Sequence, residues 1–186
     1  MAERADAARN RRAILAAAER LLVEGAPASM DDVARAAGVG KGTVFRRFGS
    51  RSGLLQALVA QYDEEIDKAA RQALDDSPDP RQQTLTFVDK LFDIRLERCA
   101  LWAALEGDLE ATHDTRGACD QVHTRLTGFI ERARPDGDAA FFAHCVIAAM
   151  RIDLVTQLSE SGHTDAKEIR EKLREFTNCV LTGSTV

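Results

Sequence analysis

The sequence predicts an all-α fold with a helix-turn-helix near its N-terminus. Apolar residues recur at helical spacing along most of the 186 residues, and long alternating β-branched runs are absent. Proline is scarce, with 4 residues, while Ala, Leu, Arg, Glu and Asp dominate. The stretch SMDDVARAAGVGKGTVFRRF, residues 29–48, has the pattern of a short helix, a tight turn and a second short helix with a basic face.

The first helix is predicted from about residue 5 to residue 24. An apolar stripe that includes Ile14 and Leu15 faces a core, and Gly25 and Pro27 end the helix because neither continues it well. Its start carries a basic cluster, Arg9, Arg11 and Arg12. Two interpretations of that cluster stay open: an extension that grips the DNA backbone, or a disordered basic tail.

The helix-turn-helix follows. Ser29 stands where an N-cap belongs, and the second helix is predicted over residues 30–37. Gly38 occupies the turn, where a left-handed backbone costs glycine least. The third helix is predicted over residues 41–48, with Val44 filling the angle between the two helices. These features together, after an amphipathic helix, predict the motif more strongly than any one alone.

The rest of the chain predicts further helices, about nine in all. A fourth helix runs from about residue 51 to residue 75 and ends before the Pro-containing break at residues 77–80. Later apolar stripes predict helices over about residues 81–96, around Trp102, over 115–133, over 138–161 with Gly162 as its end, and over 165–181. No strand is needed anywhere.

Charge is distributed unevenly along the chain. Residues 1–52 hold 10 Lys/Arg against 6 Asp/Glu, whereas the remainder holds 15 against 24. The overall charge of −5 therefore combines a basic N-terminal part with an acidic body. This asymmetry is expected when only one end of a protein meets phosphate.

Location and chemistry are constrained by what the sequence lacks. No apolar run approaches the roughly 20 residues that span a bilayer, and the charged N-terminus is no signal peptide, so we expect a cytoplasmic protein. No nucleophile elbow, phosphate-binding loop or paired-carboxylate constellation is evident, so we expect neither an enzyme nor a cofactor.

The cysteines and histidines leave minor alternatives open. Without a CxxC, the four cysteines, Cys99, Cys119, Cys145 and Cys179, are expected to be reduced, buried or half-buried thiols. A redox switch is the other interpretation. Cys119 and His123 are four residues apart, and His144 adjoins Cys145, which would suit a metal sensor. Since a structural zinc site usually has four protein ligands, no metal site is predicted.

Residues 13–59, AILAAAERLLVEGAPASMDDVARAAGVGKGTVFRRFGSRSGLLQALV, resemble the tetracycline-repressor (TetR) family of transcriptional regulators. The matching or nearly matching positions are Gly38, Val39, Gly42, Thr43, Val44, Phe45, Phe48, Ser50, Arg51, Leu54 and Leu55. The resemblance implies a DNA-binding head, residues 1–52, joined by helix 51–75 to a ligand-binding and dimerisation body, residues 53–186.

The resemblance, with the basic face of the third helix, implies a DNA-binding set: Ser29, Lys41, Gly42, Thr43, Phe45, Arg46, Arg47 and Arg51. Lys41, Gly42, Thr43 and Arg47 align with positions that approach bases, and Phe45 and Arg51 with phosphate-side positions. Ser29 caps the second helix, whose backbone amides can hold a phosphate. Phe45 replaces the usual Tyr and lacks its hydroxyl, so the arginines are expected to carry more of the contact. Arg51 replaces the usual Lys. A solvated basic helix face is the alternative.

In the body, the candidate ligand contacts are Phe87, Leu91, Phe92, Arg95, Trp102, Phe129 and Phe142. Plain core packing is the alternative for each. Trp102 offers a stacking surface with a polar N–H, and Arg95 could hold an anionic group or form an ion pair. By resemblance, the last two helices pair with a second copy of the chain.

The sequence therefore predicts a homodimeric regulator, expected to be a repressor that a small molecule releases from a palindromic operator in double-stranded DNA. A DNA-binding regulator without a ligand is an alternative. So is a helical carrier or enzyme that merely contains a helix-turn-helix-like segment.

Overall fold

The computed structural model describes residues 2–26, 28–107, 116–160 and 165–183, with residues 2–5 and 116–120 described for the backbone alone. This part of the chain contains α-helices and no strand, which confirms the all-α prediction. The helices are α1 (Ala2–Val23), α2 (Met30–Ala36), α3 (Lys41–Phe48), α4 (Arg51–Val59), α5 (Asp63–Asp76), α6 (Pro80–Glu97), α7 (Cys99–Glu106), α8 (Arg116–Ala133), α9 (Ala139–Ala149), α10 (Ile152–Glu160) and α11 (Ala166–Thr182).

Two segments predicted as single helices are each divided in the structure, so the described residues form eleven α-helices where about nine helices were predicted. The predicted helix 51–75 is interrupted by a 3₁₀ turn, Ala60–Tyr62, between α4 and α5. The predicted helix 138–161 is broken between α9 and α10, which meet at 45°. Its predicted end at Gly162 lies outside the described residues.

Side chains from other helices account for the break between α9 and α10. The Met150 carbonyl accepts a hydrogen bond from Arg95 Nε at 3.0 Å. On the other side of the break, the Ile152 N–H donates to Glu106 Oε2 at 2.8 Å. Backbone groups released from the helical ladder therefore have partners, and the chain bends without a Gly or Pro at the break.

The buried apolar side chains form two cores. The head core joins α1, α2, α3 and α4, but it also takes in three buried residues of α7, namely Leu101, Trp102 and Leu105. The body core is built mainly from α5, α6, α8, α9 and α11. Since Tyr62 packs against both cores, the 3₁₀ turn lies where the chain passes from one to the other.

Tyr62 also connects the helices at this junction. Its hydroxyl donates a hydrogen bond to Glu19 of α1. The Arg98 guanidinium lies over the ring, 4.1 Å from the centroid, and Arg98 Nη2 is 2.8 Å from Glu65 Oε2. Burial, with the hydrogen bond to Glu19, raises the pKa of the Tyr62 phenol to about 12. The junction is therefore polar as well as apolar.

The predicted break at residues 77–80 is present. Asp79 caps α6 by accepting a hydrogen bond from the Arg81 N–H at 3.0 Å, and Pro80 begins the helix, where its missing N–H costs nothing. In the described residues, no single helix is long and apolar enough to cross a bilayer. Only α9 and α10 together, as a bent pair, reach that length and composition.

Candidate DNA interface and effector cavity

Local hydrogen bonds fix the turn between α2 and α3. The Ser29 hydroxyl caps α2 by accepting from the Asp32 N–H at 3.2 Å. Gly38 then adopts a positive φ of 67°, which a side chain would strain. The Val39 N–H donates to the Ala34 carbonyl at 3.0 Å and closes the turn. The sequence-predicted cap and turn residues therefore have the geometry that the motif requires.

The third helix presents one face to the head core and the other to solvent. Val44 is fully buried and Phe48 is half-buried. The outward face consists of exposed side chains and one glycine: Lys41, Gly42, Phe45, Arg46 and Arg47. Thr43 is half-buried beside them. A helix with this division can enter a major groove while its inner face stays packed.

Two glycines near α3 have different roles. A Cβ built on Gly42 would meet nothing within 4 Å, so packing does not require glycine there, and the position leaves room for close approach from outside. A Cβ on Gly53 would lie 2.1 Å from the Phe48 carbonyl oxygen. Gly53 therefore lets α4 dock against the end of α3. Sequence reasoning missed this role, although a glycine inside a predicted helix was the available signal.

The cations of α3 differ in their surroundings. Lys41 Nζ lies 2.8 Å from the Asp31 carboxylate of α2 and 5.6 Å from the centroid of the Phe45 ring. Arg46 and Arg47 form no ion pair with any residue in the described part of the chain. The partnership of Asp31 with Lys41 was also missed, because ten positions separate the two residues in the sequence.

The flanks of the motif carry the other basic residues. Arg51 is half-buried at the start of α4, where Ser50 caps the helix by accepting from the Gly53 N–H at 3.1 Å. The basic cluster of Arg9, Arg11 and Arg12 lies on α1, so these residues are helical and not a disordered tail. There Arg11 lies 5.8 Å from the Phe48 ring centroid, whereas Arg9 pairs with Asp6.

The body candidates divide into packed aromatics and cavity-lining residues. Phe87 and Phe129 stack with centroids 4.6 Å apart, and Phe92 is fully buried in the same body core. Phe142 is half-buried at the edge of that core, beneath the Arg134 guanidinium. The remaining candidates, Leu91, Arg95 and Trp102, line a cavity of about 10 Å³ together with Ile66, Ile94, Val122, Ile147 and Met150.

Arg95 is surrounded by partners. Its guanidinium forms a buried ion pair with Glu106 of α7 and lies over the Trp102 ring, 4.2 Å from the centroid. The Trp102 indole N–H is buried and has no hydrogen-bond partner among the described residues. The Trp102 indole N–H is therefore an unpaired donor on a residue that lines the cavity, while the Arg95 charge is compensated by Glu106. The sequence did not indicate Glu106 as the partner of Arg95, because the two residues lie on different helices.

The described thiols and imidazoles do not form a metal site. Cys145 and Cys179 are half-buried as expected, but Cys99 is exposed, so the expectation of a buried or half-buried thiol was wrong there; these three cysteines are free thiols. His123 and His144 stack with centroids 3.9 Å apart. No group of three or more possible metal-binding residues occurs in the described part of the chain. The Cys119 side chain lies outside the described residues.

Comparison with known proteins identifies the head. Residues 14–58 match the profile of the family described as bacterial regulatory proteins, tetR family. The HTH-type transcriptional repressor LfrR of Mycolicibacterium smegmatis is 42% identical over 80 residues. That alignment spans 43% of this chain and 42% of the length of LfrR.

Solved structures extend the likeness in fold to almost the whole chain. A TetR-family regulator of Syntrophomonas wolfei superimposes with a TM-score of 0.72 at 16% identity, covering 95% of this chain and 97% of that one. FadR of Thermus thermophilus, solved with lauroyl-CoA, also gives 0.72 at 16% identity, covering 95% of each chain. LfrR of Mycobacterium smegmatis, solved with proflavine, gives 0.53 at 24% identity, covering 96% and 97%. Residues 14–58 therefore carry the sequence pattern of the tetR family of bacterial regulatory proteins, and almost the whole chain has a fold similar to that of solved regulators.

Proposed function

We propose that this protein is a homodimeric transcriptional repressor in the cytoplasm, which binds a near-palindromic operator and leaves it when a small molecule enters the body. The observation that carries the proposal is the exposed basic face of α3 on a buried helix-turn-helix scaffold. Arg46 and Arg47 extend into solvent without a carboxylate partner in the described residues. Such side chains are available to guanine edges and phosphates.

Within this proposal, the α3 residues divide by task. Lys41, Gly42, Thr43 and Arg47 approach the bases from the start and outer face of the helix. Ser29, Phe45, Arg46 and Arg51 contact the sugar-phosphate backbone. Phe45 is 41% exposed and has no hydroxyl to donate, so its contribution is apolar contact. The head's surplus of Lys and Arg supplies the attraction to DNA that does not depend on sequence.

The main test uses duplexes selected by the protein itself from a random-sequence pool. We expect the wild type to enrich a near-palindromic sequence and to bind it more tightly than a shuffled duplex, measured by fluorescence anisotropy. Replacing Lys41, Arg46 and Arg47 by Ala should abolish the preference. The matched control replaces three exposed body cations, Lys68, Arg71 and Lys167, by Ala. Equal loss in both triple variants, or no enrichment, would contradict DNA reading by α3.

The proposed dimer is supported by the exposed apolar side chains of the last helices. Phe141 of α9 is 59% exposed, and Leu154, Leu158 and Phe176 of α10 and α11 are each about 40% exposed. An interface between two copies would remove these apolar side chains from water, and contiguous apolar patches are typical of such interfaces. In a twofold dimer, two recognition helices reach successive major grooves, about 34 Å apart.

Sedimentation velocity tests the dimer. We expect Phe141→Asp with Phe176→Asp to convert a dimer into a monomer, because a charge would be buried at the interface. Leu74→Asp is the matched control, since Leu74 is 43% exposed but lies on α5. A dimer that survives the double substitution, or a wild-type monomer, would contradict this interface.

The proposed response to ligand is a population shift. The Arg95–Glu106 pair connects the cavity to α7, and α7 packs into the head core. A molecule that separates α6 from α7 would thus move the recognition helices away from operator spacing. Lauroyl-CoA and proflavine, which occupy the FadR and LfrR structures, are the first probes. If every bound compound left operator affinity unchanged, the inducer mechanism would be wrong.

A regulator without a ligand is the second candidate, and one observation favours it. The cavity beside Arg95 and Trp102 has a volume of about 10 Å³, which is close to the room needed for a single water molecule. Thermal-shift measurements with the same two compounds distinguish the candidates. A shift that depends on Trp102 would favour a ligand-responsive protein, whereas no shift with either compound would favour the second candidate.

A further inference from the structure

We propose that Asp31 is a positioning residue for base reading, which acts by holding the Lys41 ammonium at the start of α3. The inference rests on the proposed DNA-binding function and adds to it a residue that determines specificity. Asp31 lies in the first turn of α2, and Lys41 is the first residue of α3. Their side chains meet across the turn at 2.8 Å.

The location of Lys41 makes its orientation important. The N-terminal residues of a recognition helix are those that contact base edges. A lysine side chain has a long flexible stem, so an unrestrained ammonium reaches phosphates as readily as bases. The Asp31 carboxylate removes much of this freedom before DNA arrives. Fixing a side chain in advance reduces the entropy that binding must otherwise cost.

The chemistry of the ammonium leaves it able to read a base while it is held. Lys41 has three N–H donors, and its Nζ lies 2.8 Å from both carboxylate oxygens of Asp31, with the hydrogen bond to Oδ2. At least one donor remains, and guanine presents two acceptors, O6 and N7, in the major groove. The Phe45 ring, 5.6 Å from the ammonium, limits its position further. The held lysine therefore matches a guanine edge.

The neighbouring acid is engaged elsewhere, which singles out Asp31. The Ser29 hydroxyl donates to Asp32 Oδ2 at 2.5 Å, and Arg35 Nη1 donates to Asp32 Oδ1 at 3.2 Å. The hydrogen bond from Ser29 lowers the pKa of the Asp32 carboxyl, with smaller contributions from Arg35. Asp32 thus closes the cap of α2, whereas Asp31 reaches across to α3.

The Asp31 charge has a second consequence for DNA that lacks the right base. A carboxylate on the DNA-facing side is repelled by phosphates, and it occupies the lysine that would otherwise neutralise one. Binding to arbitrary sequence is weakened, while a guanine in the right place still receives a hydrogen bond from the remaining ammonium donor. Asp31 therefore favours specific over non-specific complexes.

The test is a double-mutant cycle on duplexes that the wild type selects from a random pool. Lys41→Ala first identifies the base pair whose recognition depends on Lys41. At that base pair, Asp31→Asn should reduce discrimination against the wrong base by about fivefold, a size that an exposed ion pair supports. Affinity for a shuffled duplex should stay equal or rise. In the Lys41→Ala background, Asp31→Asn should have no further effect on discrimination.

Controls separate positioning from a structural role. Glu24→Gln removes the same charge from another exposed acid of the head and should leave discrimination unchanged. Asp31→Glu, which keeps the carboxylate, should keep most of the discrimination that Asp31→Asn loses. The inference is overturned if Asp31→Asn discriminates between bases as well as the wild type does. It is also overturned if Asp31→Asn reduces discrimination equally in the Lys41→Ala background, or if Lys41→Ala reduces discrimination at no base pair. If the wild type selects no sequence, the proposed function fails first and the inference fails with it.

Discussion

The arginines of the body and those of α3 have different surroundings. In the body, several arginines form ion pairs with carboxylates on other helices: Arg95 with Glu106, Arg98 with Glu65, Arg125 with Asp67, Arg170 with Asp93 and Arg174 with Asp89. On α3, Arg46 and Arg47 are exposed and form no ion pair with a described residue. Whether an arginine supports the fold or the function therefore depends on its partners.

The difference explains how an acidic protein can present a basic surface. Each body cation that pairs with a carboxylate contributes little field at a distance, and the remaining acids leave the body negative. The head has fewer acids, and its described ion pairs are exposed ones, such as Arg35 with Asp32. Substitutions in the two regions should therefore affect different measurements, and the following predictions test that separation.

The largest expected effect is on the body. Glu106→Ala leaves the Arg95 guanidinium buried without its carboxylate and removes the acceptor of the Ile152 N–H. We expect the free energy of unfolding to fall by about 3–5 kcal/mol, measured by urea denaturation at a fixed protein concentration. Asp153→Ala, which breaks an exposed pair with Arg151, is the control and should cost below about 1 kcal/mol. Similar small losses in both variants would contradict a structural role for the buried pair.

A smaller effect, on a different measurement, is expected in the head. Arg47→Ala should weaken binding to the selected duplex by about 1–3 kcal/mol, because one base contact is lost. The free energy of unfolding should change by no more than about 0.5 kcal/mol, since the side chain is exposed. Anisotropy titrations and urea denaturation on the same preparation give both values. A large loss of stability would show that Arg47 resembles the body arginines after all.

Arg51 should affect DNA binding without affecting sequence preference. Arg51→Ala is expected to weaken binding to selected and shuffled duplexes alike. It should also reduce the slope of log affinity against log salt by about 1, because one phosphate contact is removed. Titrations at several salt concentrations measure the slope. If Arg51→Ala and Arg47→Ala gave the same ratio of specific to non-specific loss, the division between phosphate and base contacts would be wrong.

The smallest effect concerns the junction between the regions. Tyr62 is the single tyrosine of the sequence, so the near-ultraviolet absorbance of phenolate reports it alone. Its pKa is raised to about 12 from 10.0, which means that the folded protein holds the phenolic proton more tightly than the unfolded chain. The stability that this proton contributes is fully present below pH 10 and is lost as the pH rises towards 12.

Tyr62→Phe is the control for that titration. The variant should lose the part of the alkaline destabilisation that follows the phenolate absorbance. An absorbance midpoint close to pH 10 in the folded wild type would contradict the burial of the phenol and its hydrogen bond to Glu19.

The sequence predicted the features that depend on local pattern. Helical spacing predicted the helices, and the cap at Ser29 and the turn at Gly38 were recognised because cap and turn chemistry is written in adjacent residues. The break at Met150 was missed, because the groups that satisfy it, Arg95 and Glu106, come from other helices. The contact of Asp31 with Lys41 was missed for the same reason.

The candidate ligand contacts in the body show more clearly what a sequence pattern does not distinguish. A buried Phe in a helical stripe looks the same in the sequence whether it stacks on another Phe, as Phe87 does on Phe129, or lines a cavity. Arg95 was recognised as either an anion holder or an ion-pair partner, and the structure adds Glu106 as its partner. The residues proposed to bind DNA depended less on such contacts, since the exposure of one helix face follows from spacing alone.

The packing of α7 has a consequence for building chimeric regulators. Leu101, Trp102 and Leu105 complete the hydrophobic interior of the DNA-reading unit from a position some forty residues beyond α4. If only the N-terminal residues of another regulator were transferred, they would pack against an α7 whose side chains fit a different set of helices. The transferable unit is therefore discontinuous: the N-terminal helices and α7 would have to be exchanged together.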